Sequence, residues 1–132
     1  MGAVTLLLDT HAFYRTVRST TPVPDHVRTA LDEAPRRFVS DVSAYEVALK
    51  VRLGRFPAAT ALRDRWTEAL TTLPAIALPM ATSHALLAGS LDWEHRDPFD
   101  RLLAAQAILE GLTLVTADAA FGAVPGLSVL RW

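Results

Sequence analysis

Acidic residues recur where a short apolar run gives way to a helical pattern. The acids at these junctions are Asp9, Asp41, Glu46, Asp97, Asp100 and Asp118. If the apolar runs are strands of one parallel sheet, most of these junctions share the edge at which such sheets place their functional groups. Oxygen ligands without Cys and without converging His side chains favour Mg²⁺ or Mn²⁺. The pattern therefore predicts a divalent-metal site at this edge.

Each acid also has a structural interpretation as a helix-capping residue. Asp97 precedes Pro98 as an N-cap would, with Asp100 at the third helical position, and Ser43 and Glu46 have capping-box spacing. Ser, Thr or Asn would cap as well, whereas several carboxylates at one edge repel each other unless a cation is present. We therefore interpret Asp97 mainly as a cap and Asp100 as a residue that faces a metal.

The elements that must position these acids alternate along the chain. Apolar, strand-like runs span residues 3–8, 37–40, 75–80, 112–116 and 127–132. Helical patterns span residues 24–34, 43–54, 57–73, 82–91 and 97–111. Pro79 makes the third strand either the least secure of the five or an edge strand. This alternation predicts an α/β fold, a three-layer α/β/α sandwich around a mostly parallel sheet. The length of 132 residues suits a single domain over 1–132.

Composition excludes several classes of protein and site. The absence of Cys excludes disulfides, thiolate metal sites and cysteine nucleophiles. A net charge of −1 provides no global basic field for nucleic acid, and Lys50 is the only lysine among the 13 basic residues. No secretory signal and no apolar run of membrane-spanning length is visible, so we expect a cytoplasmic protein.

Four segments, in this order, resemble the motifs of the PIN-domain family and, more narrowly, of VapC-type ribonuclease toxins from type II toxin–antitoxin systems. They are LLLDTHAF (6–13), VSDVSAYEVALKVRLGRF (39–56), HRDPFDRLLAAQA (95–107) and LVTADAAF (114–121). The resemblance implies a PIN-like sandwich whose acidic cluster binds Mg²⁺ or Mn²⁺ and hydrolyses RNA with a metal-activated water. The implied catalytic and metal-binding residues are Asp9, Glu46, Asp100 and Asp118. Tyr45 stands where this subgroup has Trp.

Other residues are candidates for supporting the acids or contacting the substrate. Thr116 matches a small polar residue that the family has two positions before its last acid, and Asp97 belongs to the DPFDR variant of the motif. Arg101 either orients an acid, contacts a phosphate or is solvated, and His11 is either a phosphate contact or a polar residue at a helix start. Candidates for an RNA-backbone rim are Arg15, Arg18, Arg36, Arg37, Lys50, Arg52 and Arg55. A solvated helix face explains several of these equally well.

The resemblance also implies partners: an RNA substrate, a second copy of the chain in a homodimer, and a cognate antitoxin protein that holds the toxin inactive. The serious alternative is a non-catalytic PIN-like module that binds RNA or protein, against which the presence of all four acids argues. An aspartyl-phosphate phosphatase fits poorly, because it needs a second Asp where this chain has His11 and a late lysine that the chain lacks.

Overall fold

Five strands pair into one sheet in the computed structural model, which describes residues 4–18 and 22–132. The strands are β1 (Leu6–Leu8), β2 (Arg37–Ser40), β3 (Ile76–Leu78), β4 (Thr113–Thr116) and β5 (Ser128–Arg131). Their order is β3-β2-β1-β4-β5, and every neighbouring pair is parallel. The central strand β1 is fully buried, whereas β3 lies at an edge with Ile76 exposed. Of the two alternatives that Pro79 left open, the edge strand is therefore correct.

Helices cover both faces of this sheet. Within the described residues they are α1 (Thr10–Val17), α2 (Asp25–Glu33), α3 (Asp41–Arg52), α4 (Thr60–Asp64), α5 (Trp66–Thr72), α6 (Thr82–Ser90) and α7 (Pro98–Glu110). Short 3₁₀ turns occupy Pro57–Ala59 and Ala119–Ala123. Leu6 and Leu8 pack into one core cluster with Phe13, whereas Leu7 packs into a second cluster with Leu103. Because neighbouring strand residues point to opposite faces, this division confirms the predicted three-layer sandwich.

Two predicted helices differ from those in the structure. The helix expected from residue 43 begins at Asp41, because Ser40 at the end of β2 caps it by accepting a hydrogen bond from the Val42 N–H at 3.0 Å. Ser43 and Glu46 therefore lie inside α3, and the alternative interpretation of their spacing as a capping box does not apply. The helix expected over 57–73 is interrupted at Arg65, whose backbone is non-helical at φ −124° and ψ 36°, and is divided into α4 and α5 after an initial 3₁₀ turn.

Parallel register aligns the ends of three neighbouring strands. Leu8 of β1 pairs with Val39 on one side and with Val115 on the other. The residues that follow these three positions therefore emerge at the same level of the sheet, and Asp9 and Thr116 are among them. No helix among the described residues has the length and apolar character that crossing a membrane requires. The segment 15–25, whose role the sequence leaves open, includes residues 19–21, which lie outside the described residues.

The C-terminal end of α7 provides a test of the local fold. Gly111 ends this helix with a left-handed backbone at φ 67°, a conformation that costs an L-residue with a side chain about 1 kcal/mol. We expect Gly111→Ala to lower the free energy of unfolding by about that amount in urea titrations. Gly89→Ala is the matched control, because Gly89 is helical, exposed and has open space around it, so Ala should stabilise α6 by roughly 0.5 kcal/mol. Equal effects of the two changes would contradict this assignment.

Candidate active site

A groove at the carboxyl edge of the sheet contains all four acids expected to bind metal. Its lining residues are Asp9, His11, Glu46, Lys50, Asp97, Asp100, Ala117, Asp118 and Phe121. Asp41, the other acid that follows a strand, is exposed in the first turn of α3 and is not among them. The strand-end argument therefore locates the groove, and the family resemblance selects the acids that line it.

Asp9 joins β1 to α1 and is almost completely buried. Its Oδ1 accepts a hydrogen bond from the Ala12 N–H at 2.8 Å and so caps α1. Burial raises the pKa of the Asp9 carboxyl, and the negative charge of Glu46 adds to this effect. Hydrogen bonds from Thr116 and from the Ala12 N–H oppose the shift, as does the nearby His11. Asp9 is thus a capping residue and a groove acid at once.

Thr116 connects Asp9 to the acid that follows β4. Its buried side chain lies close enough to the Asp9 carboxyl to lower the pKa of that group, and its hydroxyl accepts a hydrogen bond from the Asp118 N–H at 3.0 Å. The Asp118 side chain is exposed and accepts a hydrogen bond from the Ala120 N–H at 2.9 Å, which starts the 3₁₀ turn. Thr116 therefore lies between two acidic residues of the groove, and the supporting role that the family resemblance suggests for it stays a prediction.

Glu46 is buried one turn into α3, and both of its carboxylate oxygens have partners. The Thr10 hydroxyl donates to Oε1 at 2.5 Å, and the Ser43 hydroxyl oxygen lies 2.9 Å from the Thr10 hydroxyl oxygen. The Lys50 ammonium forms an ion pair with Oε2. Thr10 and Ser43 were not predicted as site residues. The only available signal was that Thr10 follows Asp9 directly and Ser43 precedes Glu46 by three positions on one helix face.

Asp100 lies in the first turn of α7 beside His95. The His95 Nε2 atom is 2.7 Å from Asp100 Oδ2, and the His95 ring stacks on Trp93 with centroids 4.6 Å apart. Burial, followed by the negative charges of Asp97 and Glu46, raises the pKa of Asp100 to about 6, although the hydrogen bond with His95 opposes the shift. No pattern in the sequence assigned His95 a role beyond preceding the helix, so this contact was not predicted.

Asp97 occupies the predicted N-cap of α7. Its Oδ1 accepts hydrogen bonds from the Phe99 N–H at 2.9 Å and the Asp100 N–H at 3.3 Å. Among the described residues, His95, Asp97 and Asp100 are the one group of three His or acidic side chains whose potential ligand atoms all lie within 4.8 Å of one another. Asp97 therefore lies closer to a potential metal position than a cap alone requires.

Arg101 contacts backbone carbonyls. Its guanidinium donates to the carbonyls of Ala88 at 2.9 Å, Leu91 at 2.8 Å, Trp93 at 2.6 Å and His95 at 3.1 Å. The suggestion that Arg101 orients an acid or contacts a phosphate is therefore replaced by a different role, in which it fastens the segment 91–95 to the start of α7. Because that segment carries His95, Arg101 acts on the site through the position of the loop.

His11 is exposed in the first turn of α1 at the border of the groove. Its ring centroid lies 5.2 Å from that of Phe56, which also contacts Tyr14. The residue is thus both a polar residue at a helix start and a lining residue of the groove, and the two interpretations given to it are compatible.

The donor set of the groove fits a hard divalent cation. Its lining offers mainly carboxylate oxygens, from Asp9, Glu46, Asp100 and Asp118, with Asp97 beside them. Among the described residues, however, only His95, Asp97 and Asp100 bring three potential ligand atoms within 4.8 Å of one another. The raised pKa values of Asp9 and Asp100 show that burial and mutual repulsion disfavour their charged forms. A bound Mg²⁺ or Mn²⁺ would relieve both effects, since these ions favour oxygen ligands.

Comparisons with known proteins agree with this architecture. A family model described as PIN domain matches residues 6–127. DNA-bound VapBC from Salmonella typhimurium aligns with a TM-score of 0.70 at 21% identity over 98% of each chain. VapBC2 from Rickettsia felis, bound to a DNA fragment from the promoter, gives 0.69 at 18% identity over 98% of this chain and 99% of that chain. A toxin–antitoxin complex from Klebsiella pneumoniae gives 0.66 at 19% identity over 96% of each. A search of curated protein sequences gives no match.

The carbonyl contacts of Arg101 predict that lysine cannot replace it. A single ammonium cannot reach the four carbonyls that the planar guanidinium contacts, so Arg101→Lys should lower the free energy of unfolding by about 2 kcal/mol. Urea unfolding measures this loss, and Arg96→Lys at a neighbouring exposed arginine is the control. A loss no larger than that of the control would show that the four contacts contribute little.

The raised pKa of Asp100 predicts how the metal-free protein responds to pH. The pKa of Asp100 is about 6 in the folded state, whereas its ordinary value is 3.8. Between these two pH values the folded state therefore binds the Asp100 proton more tightly than the unfolded state does. Stability from this group is therefore lost as pH rises from about 4 to 6. In EDTA, Asp100→Asn should be more stable than wild type by about 1 kcal/mol at pH 7.5, with the difference vanishing near pH 4. Thermal unfolding across this range, with the exposed Asp32→Asn as control, measures the effect, and a pH-independent difference would contradict it.

Proposed function

Because the chain belongs to the PIN domain family, we propose that it is a Mg²⁺- or Mn²⁺-dependent endoribonuclease that acts as the toxin of a type II toxin–antitoxin pair. The observation that carries this proposal is the single groove lined by Asp9, Glu46, Asp100 and Asp118. Each acid comes from a different segment of the chain, so a purely local capping role does not explain why they share one groove.

The chain itself would position the reacting groups and provide no nucleophile. When bound, Mg²⁺ or Mn²⁺ supplies positive charge that polarises a phosphodiester and lowers the pKa of water. Thr10 and Thr116 orient the carboxylates of Glu46 and Asp9 with their hydroxyls. His95 holds one oxygen of Asp100. In the proposed hydrolysis, a water oxygen bonds to phosphorus as the bond from phosphorus to the 3′ oxygen breaks, which leaves a 5′-phosphate and a 3′-hydroxyl.

We also propose two protein partners and a cytoplasmic location. An apolar pocket lined by Val42, Tyr45, Leu49, Met80, Pro98, Phe99 and Leu102 supports a homodimer, because its rim is open to solvent at Tyr45, which is 63% exposed and whose ring lies 5.8 Å from that of Phe99. The fold shared with a toxin–antitoxin complex supports a cognate antitoxin that covers the groove. The substrate of the free toxin would be RNA.

The nuclease proposal predicts metal-dependent RNA cleavage that requires Asp9. Purified protein incubated with labelled total RNA should produce discrete fragments with Mg²⁺ or Mn²⁺, and EDTA should abolish them. Asp9→Asn should lower the cleavage rate by at least about a hundredfold, because the isosteric amide retains the cap but not the charge. Circular dichroism would establish that the variant is folded, and Asp41→Asn outside the groove is the control. A folded, antitoxin-free wild type that cleaves no RNA with either metal would favour a non-catalytic PIN-like module.

The chemistry of the fragment ends tests the proposed route separately. Attack by water predicts a 5′-phosphate and a 3′-hydroxyl, whereas attack by the ribose 2′-hydroxyl gives a 2′,3′-cyclic phosphate. Mass spectrometry of a short cleaved RNA distinguishes these ends. A cyclic phosphate would rule out the proposed mechanism even if cleavage requires metal.

A further inference from the structure

Lys50 is the basic side chain most closely associated with the acids of the groove. It lies one turn after Glu46 on α3 and forms an ion pair with Glu46 Oε2. Its ammonium also lies 5.9 Å from the centroid of the Phe99 ring on α7. The Lys50 side chain is 26% exposed, whereas that of Glu46 is 4% exposed. The ammonium therefore reaches a buried carboxylate from the more open side of the groove.

We propose that Lys50 is an exchangeable counter-ion: it neutralises Glu46 in the metal-free protein, leaves Glu46 when a divalent cation binds, and then binds a phosphate of the RNA. This inference rests on the proposed function. In this inference the chain's only lysine competes with the metal for Glu46 and also contacts the RNA substrate.

The competition follows from the partners of the Glu46 carboxylate. Oε1 accepts the Thr10 hydroxyl, so Oε2 is the oxygen with more capacity for a cation, and Lys50 is paired with it. Without Lys50, a metal-free Glu46 would be a buried carboxylate that lacks a compensating positive charge, which is costly. A divalent cation on the same oxygen would repel the ammonium at close range.

The lysine side chain is suited to this exchange. Its flexible stem carries a compact, strongly hydrated charge, and it can change partner without the fixed geometry that a guanidinium needs. Its partial exposure allows the ammonium to turn towards solvent without leaving a buried charge behind.

The second partner follows from the charge of the groove. Five acids line it, and of the lining residues only Lys50 is basic apart from His11. An RNA backbone entering such a groove needs positive charge beyond the metal, and phosphate contacts by basic side chains provide it. An ammonium released from Glu46 would provide this positive charge between α3 and the Phe99 ring of α7.

The metal half of the proposal is tested with Lys50→Met, and Arg52→Met is the matched control. Arg52 is exposed on the same helix and does not line the groove, so its removal changes the net charge equally. In EDTA, Lys50→Met should unfold at a lower temperature than the control. Calorimetric titration with Mn²⁺ should show roughly fivefold tighter binding to Lys50→Met, as expected when a competing ion pair is lost. Mn²⁺ should therefore raise its melting temperature more than it raises that of wild type.

The proposed contact of Lys50 with an RNA phosphate is tested by measuring how salt changes the affinity for fluorescein-labelled poly(U) in the presence of Ca²⁺. A gel verifies that the RNA stays intact. The slope of log Kd against log salt should fall by about 0.7 in Lys50→Met, as expected for one lost phosphate contact on a single strand. It should fall by less in Arg28→Met, which removes an exposed arginine of α2 that does not line the groove. In EDTA the slopes of wild type and Lys50→Met should agree, because Lys50 is then held by Glu46.

The outcomes separate this inference from the proposed function. If wild type binds Mn²⁺ but Lys50→Met shows the same Mn²⁺ affinity and the same melting shift, the exchange is refuted and the nuclease proposal stands. If the poly(U) slopes agree in Ca²⁺, the phosphate contact is refuted. If Mn²⁺ binds to neither wild type nor Lys50→Met, both the metal-dependent nuclease and the exchange are overturned.

Discussion

Crowding of carboxylates at one edge of a buried sheet is the constraint on which the rest of the site depends. The ends of β1, β2 and β4 lie at the same level, and Asp9 after β1, Glu46 in the helix after β2 and Asp118 after β4 share a groove with the start of α7. Burial and mutual repulsion raise the pKa of Asp9 and of Asp100. A chain that keeps these acids must compensate their charge locally, and each acid has its own means of compensation.

The compensating groups differ in how easily they can be displaced. Asp9 is held by a backbone N–H and lies beside the buried Thr116 side chain, both of which belong to the rigid frame of the sheet. Asp100 is held by His95, whose position depends on the Arg101 contacts with the preceding loop. Glu46 is paired with Lys50, whose side chain is partly exposed. The frame therefore fixes the direction of the carboxylates, and the displaceable cation allows the charge of the groove to change with its ligand.

Helix capping and the arrangement of the acids are not competing explanations. Asp9 caps α1 through one oxygen, and Asp118 likewise starts a 3₁₀ turn. A carboxylate has two oxygens, so a cap leaves the second one available to the groove. At α7 the tasks are divided instead: Asp97 is the cap, and Asp100 in the first turn is bonded to His95. A strand-to-helix junction thus serves the fold and the site with the same residue.

The sequence by itself determined the alternation of strands and helices and the acids that gather at strand ends, because these follow from local hydrophobic patterns and parallel pairing. It also determined the ends of α7, where Asp97 and Gly111 act through their own backbone neighbours. Only the tertiary structure decided the interruption at Arg65 and the partners of the acids. Thr10 reaches Glu46 across 36 positions, and Arg101 contacts carbonyls of a loop that no periodicity describes. Such contacts depend on how separate elements pack together, and a pattern of neighbouring residues carries no information about that packing.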